Sequence, residues 1–195
     1  MTSPTRRGPG RPPDLEKRQA ILEATRELLA EVGYGSMTID AVAQRAGSNR
    51  VLVYRVWESK LALATDALFS GTGPLVVPDT GTLVGDLRDF IGPQIRQMVH
   101  PAYVRGIPGL TVELLRDREA FQATFRRYIK PAEDGYAVIL ERARDRGEVT
   151  DPVDPRLVTY VVSGLTTSLS QGLRLSARAI TDRVVAALVG GIVPT

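Results

Sequence analysis

The sequence predicts an all-α fold of about nine helices, arranged as an N-terminal three-helix domain and a larger C-terminal helical domain. Apolar residues recur at three- and four-residue spacing along most of the chain, while strand-like alternation is nearly absent. Capping residues and glycines bracket the periodic segments. The chain has 195 residues and no cysteine, so it can bury a core without disulfide bonds.

The first helix is predicted over residues 15–32. Leu22, Leu29 and their neighbours form one apolar face at helical spacing. Asp14 is suited to cap the start of this helix, and Gly33 is suited to end it. The next two helices are short, at 39–46 and 49–55.

A tight turn at Gly47-Ser48 joins these two short helices, and Thr38 is placed to cap the first of them. Two short helices across such a turn are typical of a helix-turn-helix, whose second helix enters the major groove of DNA. Ser59 is placed to cap a fourth helix at 60–70. Val53 and Trp57 are predicted to hold the second short helix against the domain core.

A stretch rich in glycine and proline, residues 70–81, is the one clear linker. Beyond it, periodicity predicts helices at 82–99, 103–116, 118–145, 155–172 and 180–190. Pro93 and Pro131 fall inside two of these segments, which predicts kinks or breaks there. The domain bounds are therefore 1–13 for a basic disordered arm, 14–70 for the helix-turn-helix domain and 71–195 for the C-terminal domain.

Positive charge is concentrated in the first sixty residues, which carry 10 basic and 7 acidic side chains, while the remainder carries 15 of each. Two segments hold arginines and no acids. These arginines are Arg6, Arg7 and Arg11 in segment 1–13, and Arg45, Arg50 and Arg55 in segment 41–57. Such a distribution suits a polyanionic partner.

The outward face of helix 49–55 is predicted to contact double-stranded DNA. Its candidate residues are Asn49, Arg50, Leu52, Tyr54 and Arg55. Arginine reads a guanine edge or binds a phosphate, leucine contacts a thymine methyl, and a tyrosine hydroxyl or Lys60 donates to phosphate. Arg55 is equally well explained by a solvated helix face. The arginines of the arm suit a narrow minor groove.

Residues 17–63 resemble the DNA-binding domain of the tetracycline-repressor (TetR) family of bacterial regulators. The resemblance rests on ILEATRELLAEVGYGSMTIDAVAQRAG and on VYRVWESKLAL. It implies DNA contacts from Thr38, Asn49, Arg50, Tyr54 and Lys60, and a ligand pocket and dimer interface in the C-terminal domain. One departure from the family pattern is the Val51-Leu52 pair, where a small residue and a threonine are usual.

A small apolar effector is predicted to bind among helices 82–145 and to release the DNA. Broken helices beside Pro93 and Pro131 leave irregular space, and large residues surround it. The candidate pocket residues are Phe90, Met98, Leu114, Phe125 and Tyr128. The alternative is that these residues fill a solid core. The acid pairs Asp86/Asp89 and Glu133/Asp134 are predicted to lie on solvated faces.

Enzyme, metal and cofactor sites are not expected. The chain has one histidine, His100, and no phosphate-binding, dinucleotide-binding or hydrolase motif. The predicted function is a cytoplasmic, homodimeric transcriptional repressor that reads a roughly palindromic operator, with helices 155–172 and 180–190 as the dimer interface and no membrane partner. The rival is a helical ligand-binding or scaffold protein whose DNA-binding head is inactive.

Overall fold

The computed structural model describes residues 13–70, 75–173 and 175–192, and these residues form helices and connecting loops without strands. Arg6, Arg7 and Arg11 of the predicted arm lie outside the described residues. The α-helices are α1 Pro13–Ser36, α2 Ile39–Arg45, α3 Arg50–Val56, α4 Lys60–Phe69, α5 Leu83–Met98, α6 Pro101–Leu114, α7 Arg118–Thr124, α8 Lys130–Asp145, α9 Pro155–Gly172 and α10 Ala177–Ile192.

A π-helical turn, Phe125–Ile129, joins α7 to α8 without a break, so these elements occupy the predicted single helix 118–145. The all-α prediction is thereby confirmed, and each of the nine predicted segments corresponds to a helical segment of the described chain. Within the predicted linker 70–81, Ser70 still continues the end of α4 as a 3₁₀ turn, and residues 75–81 are not helical.

The starts of α2 and α4 follow the capping residues predicted from the sequence, whereas Asp14, the predicted cap of α1, lies inside that helix, which begins at Pro13. The Thr38 hydroxyl accepts the amide N–H of Ala41 at 3.2 Å, and the Ser59 hydroxyl accepts that of Ala62 at 3.0 Å. Asn49 caps α3 by accepting the N–H of Leu52 at 2.9 Å. At Gly33 the backbone leaves helical geometry with φ of 72°, a conformation that favours glycine. These residues therefore mark the starts of α2, α3 and α4 and a change of backbone direction near the end of α1.

Two apolar cores organise the molecule. The first contains buried side chains of α1 to α4 together with three residues of α6, namely Ala102, Leu110 and Leu114. The second is built from α5, α8, α9 and α10, with Ile91, Ile139 and other fully buried residues at its centre. Helix α6 thus follows the linker in sequence but packs with the N-terminal helices.

Close approach of α6 to α1 depends on small residues. A Cβ added at Gly106 would lie 3.3 Å from a methyl carbon of Leu29 and 3.2 Å from one of Leu68. A Cβ at Gly33 would lie 3.2 Å from the carbonyl oxygen of Arg105. Backbone and side chains are therefore in contact without room for another carbon, as in close-packed protein interiors.

The two prolines expected to interrupt helices behave differently. Helix α5 runs through Pro93 without a break, so the prediction of a break at this proline is wrong. Pro131 lies in the first turn of α8, directly after the π-helical turn, in which the N–H of Lys130 donates to the carbonyl of Phe125 five residues earlier. The wider turn leaves room for a ring that has no N–H to donate.

Two acids predicted to be solvated are buried. Asp86 has no exposed surface, and its carboxylate accepts the N–H and hydroxyl of Thr80 at 2.6 and 2.8 Å and a guanidinium N–H of Arg146 at 3.2 Å. Burial opposes this charge, but the hydrogen bonds from Thr80 and Arg146 outweigh it and lower the pKa of Asp86. Glu133 is also buried. Sequence periodicity did not reveal that loop 75–82 and Arg146 cover Asp86.

Candidate DNA-binding surface and ligand cavity

The recognition helix α3 is held by a turn and by two buried side chains. In the turn Gly47 has φ of 59°, and the N–H of Ser48 donates to the carbonyl of Ala43 at 2.8 Å. Val53 is fully buried and Trp57 nearly so, both in the core shared with α1 and α4. The opposite face of α3 is consequently turned away from the protein.

Arg50, Tyr54 and Arg55 lie on that outward face, as predicted. Leu52 does not lie fully outward: it is half-buried, because its position is adjacent to Val53 on the flank of the helix. Val51 is the most exposed apolar residue of α3, at 77%, and Val56 at the end of the helix is 47% exposed. Helical spacing from Arg50 and Tyr54 places residue 51 on their face, so the apolar candidate for a thymine methyl is Val51 as well as Leu52.

Arg50 already has two neighbours within the head. Its guanidinium lies 3.2 Å from the Asp40 carboxylate, and its central carbon lies 5.2 Å from the Tyr54 ring. Both partners of the ion pair are well exposed, at 59% and 66% of their side chains. An exposed pair of this kind is weak, so a phosphate or guanine can replace Asp40 at little cost.

Thr38, Asn49 and Lys60 combine their candidate DNA contacts with intramolecular ones. Thr38 and Asn49 cap α2 and α3 as described above, and both remain exposed. The Lys60 ammonium donates to the carbonyl of Gly35 at 3.2 Å and lies 4.4 Å from the centre of the Tyr34 ring. Thr38, Asn49 and Lys60 thus lie at the starts of α2, α3 and α4.

In the folded protein, part of the positive charge of segment 41–57 is balanced by acidic side chains from outside the segment. Arg45 forms two hydrogen bonds with Glu31 of α1, at 2.6 and 2.7 Å, and lies 3.7 Å from Glu27. The hydrogen bonds to Arg45 lower the pKa of Glu31. The acids that balance Arg45 come from α1, outside the segment, so counting charges along the sequence missed them. On the outward face of α3, Arg50 and Arg55 are both exposed, and Arg50 has the single contact with Asp40 described above.

A cavity of about 100 Å³ lies among the end of α4, helices α5 and α6, the π-helical turn, α8 and α9. Among the described residues, none that lines it is charged. Its hydrogen-bonding groups come from two glutamines, three tyrosines and two hydroxyl residues of α9: Gln94, Gln97, Tyr103, Tyr128, Tyr136, Thr159 and Ser163. The remaining wall is apolar, as in most small-molecule sites.

Two of the five predicted pocket residues, Met98 and Tyr128, line this cavity. Phe90 does not, because its ring is buried behind Tyr136, with ring centres 5.1 Å apart at 89°. Leu114 belongs instead to the core shared with α1, since α6 packs on the N-terminal helices. Phe125 begins the π-helical turn, in which residues three apart do not share a face, and it is absent from the cavity wall.

His100 caps α6 by accepting the N–H of Ala102 at 3.3 Å, in keeping with a histidine at a helix end. Within the described residues, no group of three histidine, aspartate or glutamate side chains is arranged to hold a metal ion. In the same part of the chain, no helix has both the length and the apolar character needed to cross a membrane.

Two family models match the chain. Residues 21–67 match the model for bacterial regulatory proteins of the tetR family, and residues 77–192 match the model for the tetracyclin repressor-like C-terminal domain. The first match covers the helix-turn-helix, and the second covers the helices around the cavity. The matched residues together span nearly the whole described chain.

Curated relatives and a solved structure agree with these matches. The HTH-type transcriptional regulator AqdR of Rhodococcus erythropolis is 30% identical over 76% of this chain and 71% of its own length. The DNA-binding transcriptional repressor TetR of Mycobacteroides abscessus is 29% identical over 76% of this chain and 78% of its own. A shorter match, 40% identical over 79 residues, covers 40% of the uncharacterized regulator YdeS of Bacillus subtilis.

The crystal structure of the regulator FadR from Bacillus subtilis, in complex with stearoyl-CoA, has the same fold. It superposes with a TM-score of 0.70 over 89% of this chain and 98% of that one, at 19% identity. The helix-turn-helix geometry, the two family models and the relatives lead to one conclusion. This chain belongs to the TetR family of bacterial transcriptional regulators.

Proposed function

We propose that the protein is a homodimeric repressor that binds a roughly palindromic operator and leaves it when a small ligand enters the cavity. The observation that carries the DNA-binding part is the outward face of α3, where Arg50, Val51, Tyr54 and Arg55 are exposed while Val53 and Trp57 anchor the helix. One helix of seven residues reads few base pairs, so two copies are needed for useful specificity.

The other proposed DNA contacts surround α3. Thr38, Asn49 and Lys60 bind phosphate at the helix ends, and Arg6, Arg7 and Arg11 follow the minor groove next to the operator. Phosphate contacts fix the orientation of the head, while Arg50 and the apolar pair Val51 and Leu52 discriminate between bases.

The dimer interface is proposed on α9 and α10. Leu157 and Tyr160 of α9 are 58% and 63% exposed and lie on one stripe with Gly164. In α10, Val184, Val185 and Leu188 pack into the core of their own chain, which leaves Ala186 and Ala187 exposed. An apolar stripe beside small residues suits a second copy of the same helix pair.

The ligand of the cavity is proposed to be small and uncharged, with at least one hydrogen-bonding group. The wall offers tyrosine, glutamine and hydroxyl groups and no charge among the described residues, and about 100 Å³ suits a molecule of about one aromatic ring. FadR of Bacillus subtilis holds stearoyl-CoA, an anionic ligand with a long chain, which differs from this cavity in size and charge. The small apolar effector expected from the sequence is therefore proposed here with hydrogen-bonding groups that match this wall.

The site binds and releases ligands without turning them over, and the protein acts in the bacterial cytoplasm, on the nucleoid when it holds DNA. A direct test is selection from random DNA duplexes, followed by titration of the recovered sequence and a scrambled duplex at two salt concentrations. We expect a palindromic consensus, preference over the scrambled duplex, and affinity that falls steeply with salt. Weak binding that is equal for both duplexes would favour the scaffold alternative.

A further inference from the structure

One buried carboxylate, Asp66 of α4, contacts the segment that ends the recognition helix. It is 4% exposed, and its Oδ2 accepts the indole N–H of Trp57 at 2.9 Å. Trp57 directly follows α3. Oδ2 also accepts a guanidinium N–H of Arg18 from α1, and the Arg18 guanidinium carbon lies 5.4 Å from the centre of the Trp57 ring. Asp66 thereby joins three helices of the head.

The other oxygen of the same carboxylate faces the C-terminal domain. Oδ1 of Asp66 accepts the hydroxyl of Tyr128 at 3.0 Å and lies 3.8 Å from the Arg127 guanidinium. Both residues belong to the π-helical turn between α7 and α8. A carboxylate is a rigid planar group, so displacement of one oxygen moves the other, and the donors on the two sides are mechanically linked.

Tyr128 is also part of the cavity wall. Its ring stacks on Phe69, with centres 5.4 Å apart at 28°, and both rings line the cavity. Burial, followed by the charge and hydrogen bond of Asp66, raises the pKa of Tyr128, so the hydroxyl keeps its proton and remains a donor at neutral pH. A ligand in the cavity competes with Asp66 for this hydroxyl or displaces the ring that carries it.

We propose that Tyr128 and Asp66 relay the state of the cavity to the recognition helix. A ligand that draws the Tyr128 hydroxyl away leaves Oδ1 with Arg127 as its remaining neighbour on that side, and the carboxylate turns toward it. The Trp57 indole, bonded to the other oxygen, then shifts the end of α3. The relay rests on the proposed function, in which ligand binding opposes DNA binding. Asp66 is a positioning residue that needs no contact with either ligand or DNA.

Trp57 provides a measurement that needs neither ligand nor DNA, because it is the only tryptophan of the chain. Tyr128→Phe removes one hydroxyl and keeps the ring. We expect it to change the emission maximum or intensity of Trp57 in the otherwise folded protein. Tyr103→Phe is the matched control, since Tyr103 lines the same cavity and packs on the same Phe69, with ring centres 5.8 Å apart. Equal emission from the two variants would overturn the relay.

A cavity-filling substitution tests the link to DNA without an identified ligand. Ala132→Leu adds three carbons at the wall of a cavity of about 100 Å³. We expect it to weaken binding to the selected operator by roughly 5-fold or more, within the usual range of allosteric coupling. In a Tyr128→Phe background it should have almost no further effect, whereas in a Tyr103→Phe background its effect should persist.

An equal effect of Ala132→Leu in all three backgrounds would overturn the relay and leave the proposed function standing. Absence of any effect in the otherwise unchanged protein would overturn it as well. If the parent protein binds the selected operator no better than the scrambled duplex, the proposed function is refuted. Trp57 emission would still test the relay in that case. If Ala132→Leu does not fold, the emission comparison of Tyr128→Phe with Tyr103→Phe decides the question.

Discussion

Arg50 and Arg45 lie ten and fourteen residues from their acidic partners, and the geometry of the two ion pairs differs. The Asp40 contact of Arg50 is a single one at 3.2 Å between exposed groups, whereas Arg45 has two hydrogen bonds to Glu31. A bidentate arginine–carboxylate pair is the stronger and more directional arrangement. The two arginines therefore serve as a test residue and its matched control.

We expect Arg50→Ala to weaken binding to the selected operator by about 1–3 kcal/mol, and Arg45→Ala by less than about 0.5 kcal/mol. If Arg50 reads a base, the substitution also relaxes preference at that base, and if it binds a phosphate, it lowers the salt slope by about one. Titration by fluorescence anisotropy at three salt concentrations separates these outcomes. Equal losses for both variants would contradict the division between an arginine with one exposed contact and an arginine with a bidentate partner.

Asp86 makes stability depend on pH in the acidic range. Its pKa in the folded protein is lowered below the unfolded value of about 3.9. The stabilisation is therefore complete above about pH 4 and is lost as the pH falls through the folded pKa. Asp86→Asn should reduce the free energy of unfolding by about 1–3 kcal/mol at pH 7, because charged hydrogen bonds from Thr80 and Arg146 are weakened.

This cost of Asp86→Asn should shrink as the pH is lowered below 4, since the carboxylate then loses its charge in the parent protein too. Urea unfolding followed by circular dichroism at several pH values measures it. Asp89→Asn is the control: Asp89 lies on the same helix and is exposed. A difference between Asp86→Asn and the parent protein that stays constant from pH 7 to pH 3 would contradict the assignment.

Among single residues, those that act through local backbone geometry were predictable and those that depend on distant partners were not. Thr38, Ser59 and Gly33 act within a few residues of their own positions, so their roles are visible in the sequence. The burial of Asp86 depends on Arg146, sixty residues away. The neutralisation of Arg45 likewise comes from another helix.

At the scale of one helix, Gly33 separates the regular part of α1 from its last turn, and this conformation can be tested. Its φ of 72° and ψ of 175° lie in a region that is essentially restricted to glycine, and a Cβ there would lie 3.2 Å from the carbonyl oxygen of Arg105. Gly33→Ala should therefore reduce the free energy of unfolding by about 1–3 kcal/mol.

Gly35→Ala is a matched control for Gly33→Ala two residues later. Its added Cβ has no neighbour within 4 Å, and the residue is helical. It should be neutral or stabilise the protein by up to about 1 kcal/mol, because alanine favours helix. Chemical unfolding of both variants gives the comparison, and equal destabilisation would show that the backbone at Gly33 is not strained by a side chain.

The periodicity of apolar residues predicted where the helices lie, but it did not predict which residues line the cavity. At Pro131 the helix continues without a break, and the sequence does not show that the preceding turn widens to a π-helix and places Tyr128 on the cavity wall. Pro93 gave the opposite result, since α5 continues through it. A proline predicts a missing hydrogen bond, while the surrounding packing determines whether the helix bends, widens or continues.

At the scale of the whole molecule, the exposed stripe of α9 predicts the oligomeric state. Each chain has a mass of 21.2 kDa, and a dimer of twice that mass is expected at micromolar concentration. Tyr160→Asp places a charge in the proposed interface and should shift the mass measured by light scattering toward the monomer. Operator affinity should fall with it, because paired recognition helices are lost.

Leu115→Asp is the control for Tyr160→Asp. Leu115 directly follows α6 and is 71% exposed, so it receives the same charge at an exposed apolar site outside α9 and α10. We expect this variant to keep the dimer mass and the operator affinity. If both substitutions dissociate the dimer, or neither does, the assignment of α9 to the interface is wrong.

The sequence predicted two helical layers but not how they share helices. A glycine- and proline-rich linker separates α4 from α5. The sequence therefore predicts that the helix-turn-helix domain, residues 14–70, ends at this linker. In the folded protein Leu110 and Leu114 of α6 complete the core of α1 to α4. The pairing of helices far apart in sequence has no periodic signal, so only the folded structure reveals it.

The packing of α6 on the N-terminal helices limits how those helices can be transferred to another protein. A head cut at the linker would leave Leu29 and Leu68 facing water where Gly106 now admits them against α6. Consider a chimera that joins α1 to α4 of this chain to the C-terminal domain of another protein. Leu29 and Leu68 would lose their packing partner unless the sixth helix of that protein also has a small residue at the position of Gly106. A functional transfer of the N-terminal helices of this chain would therefore have to include α6, which lies well beyond the linker.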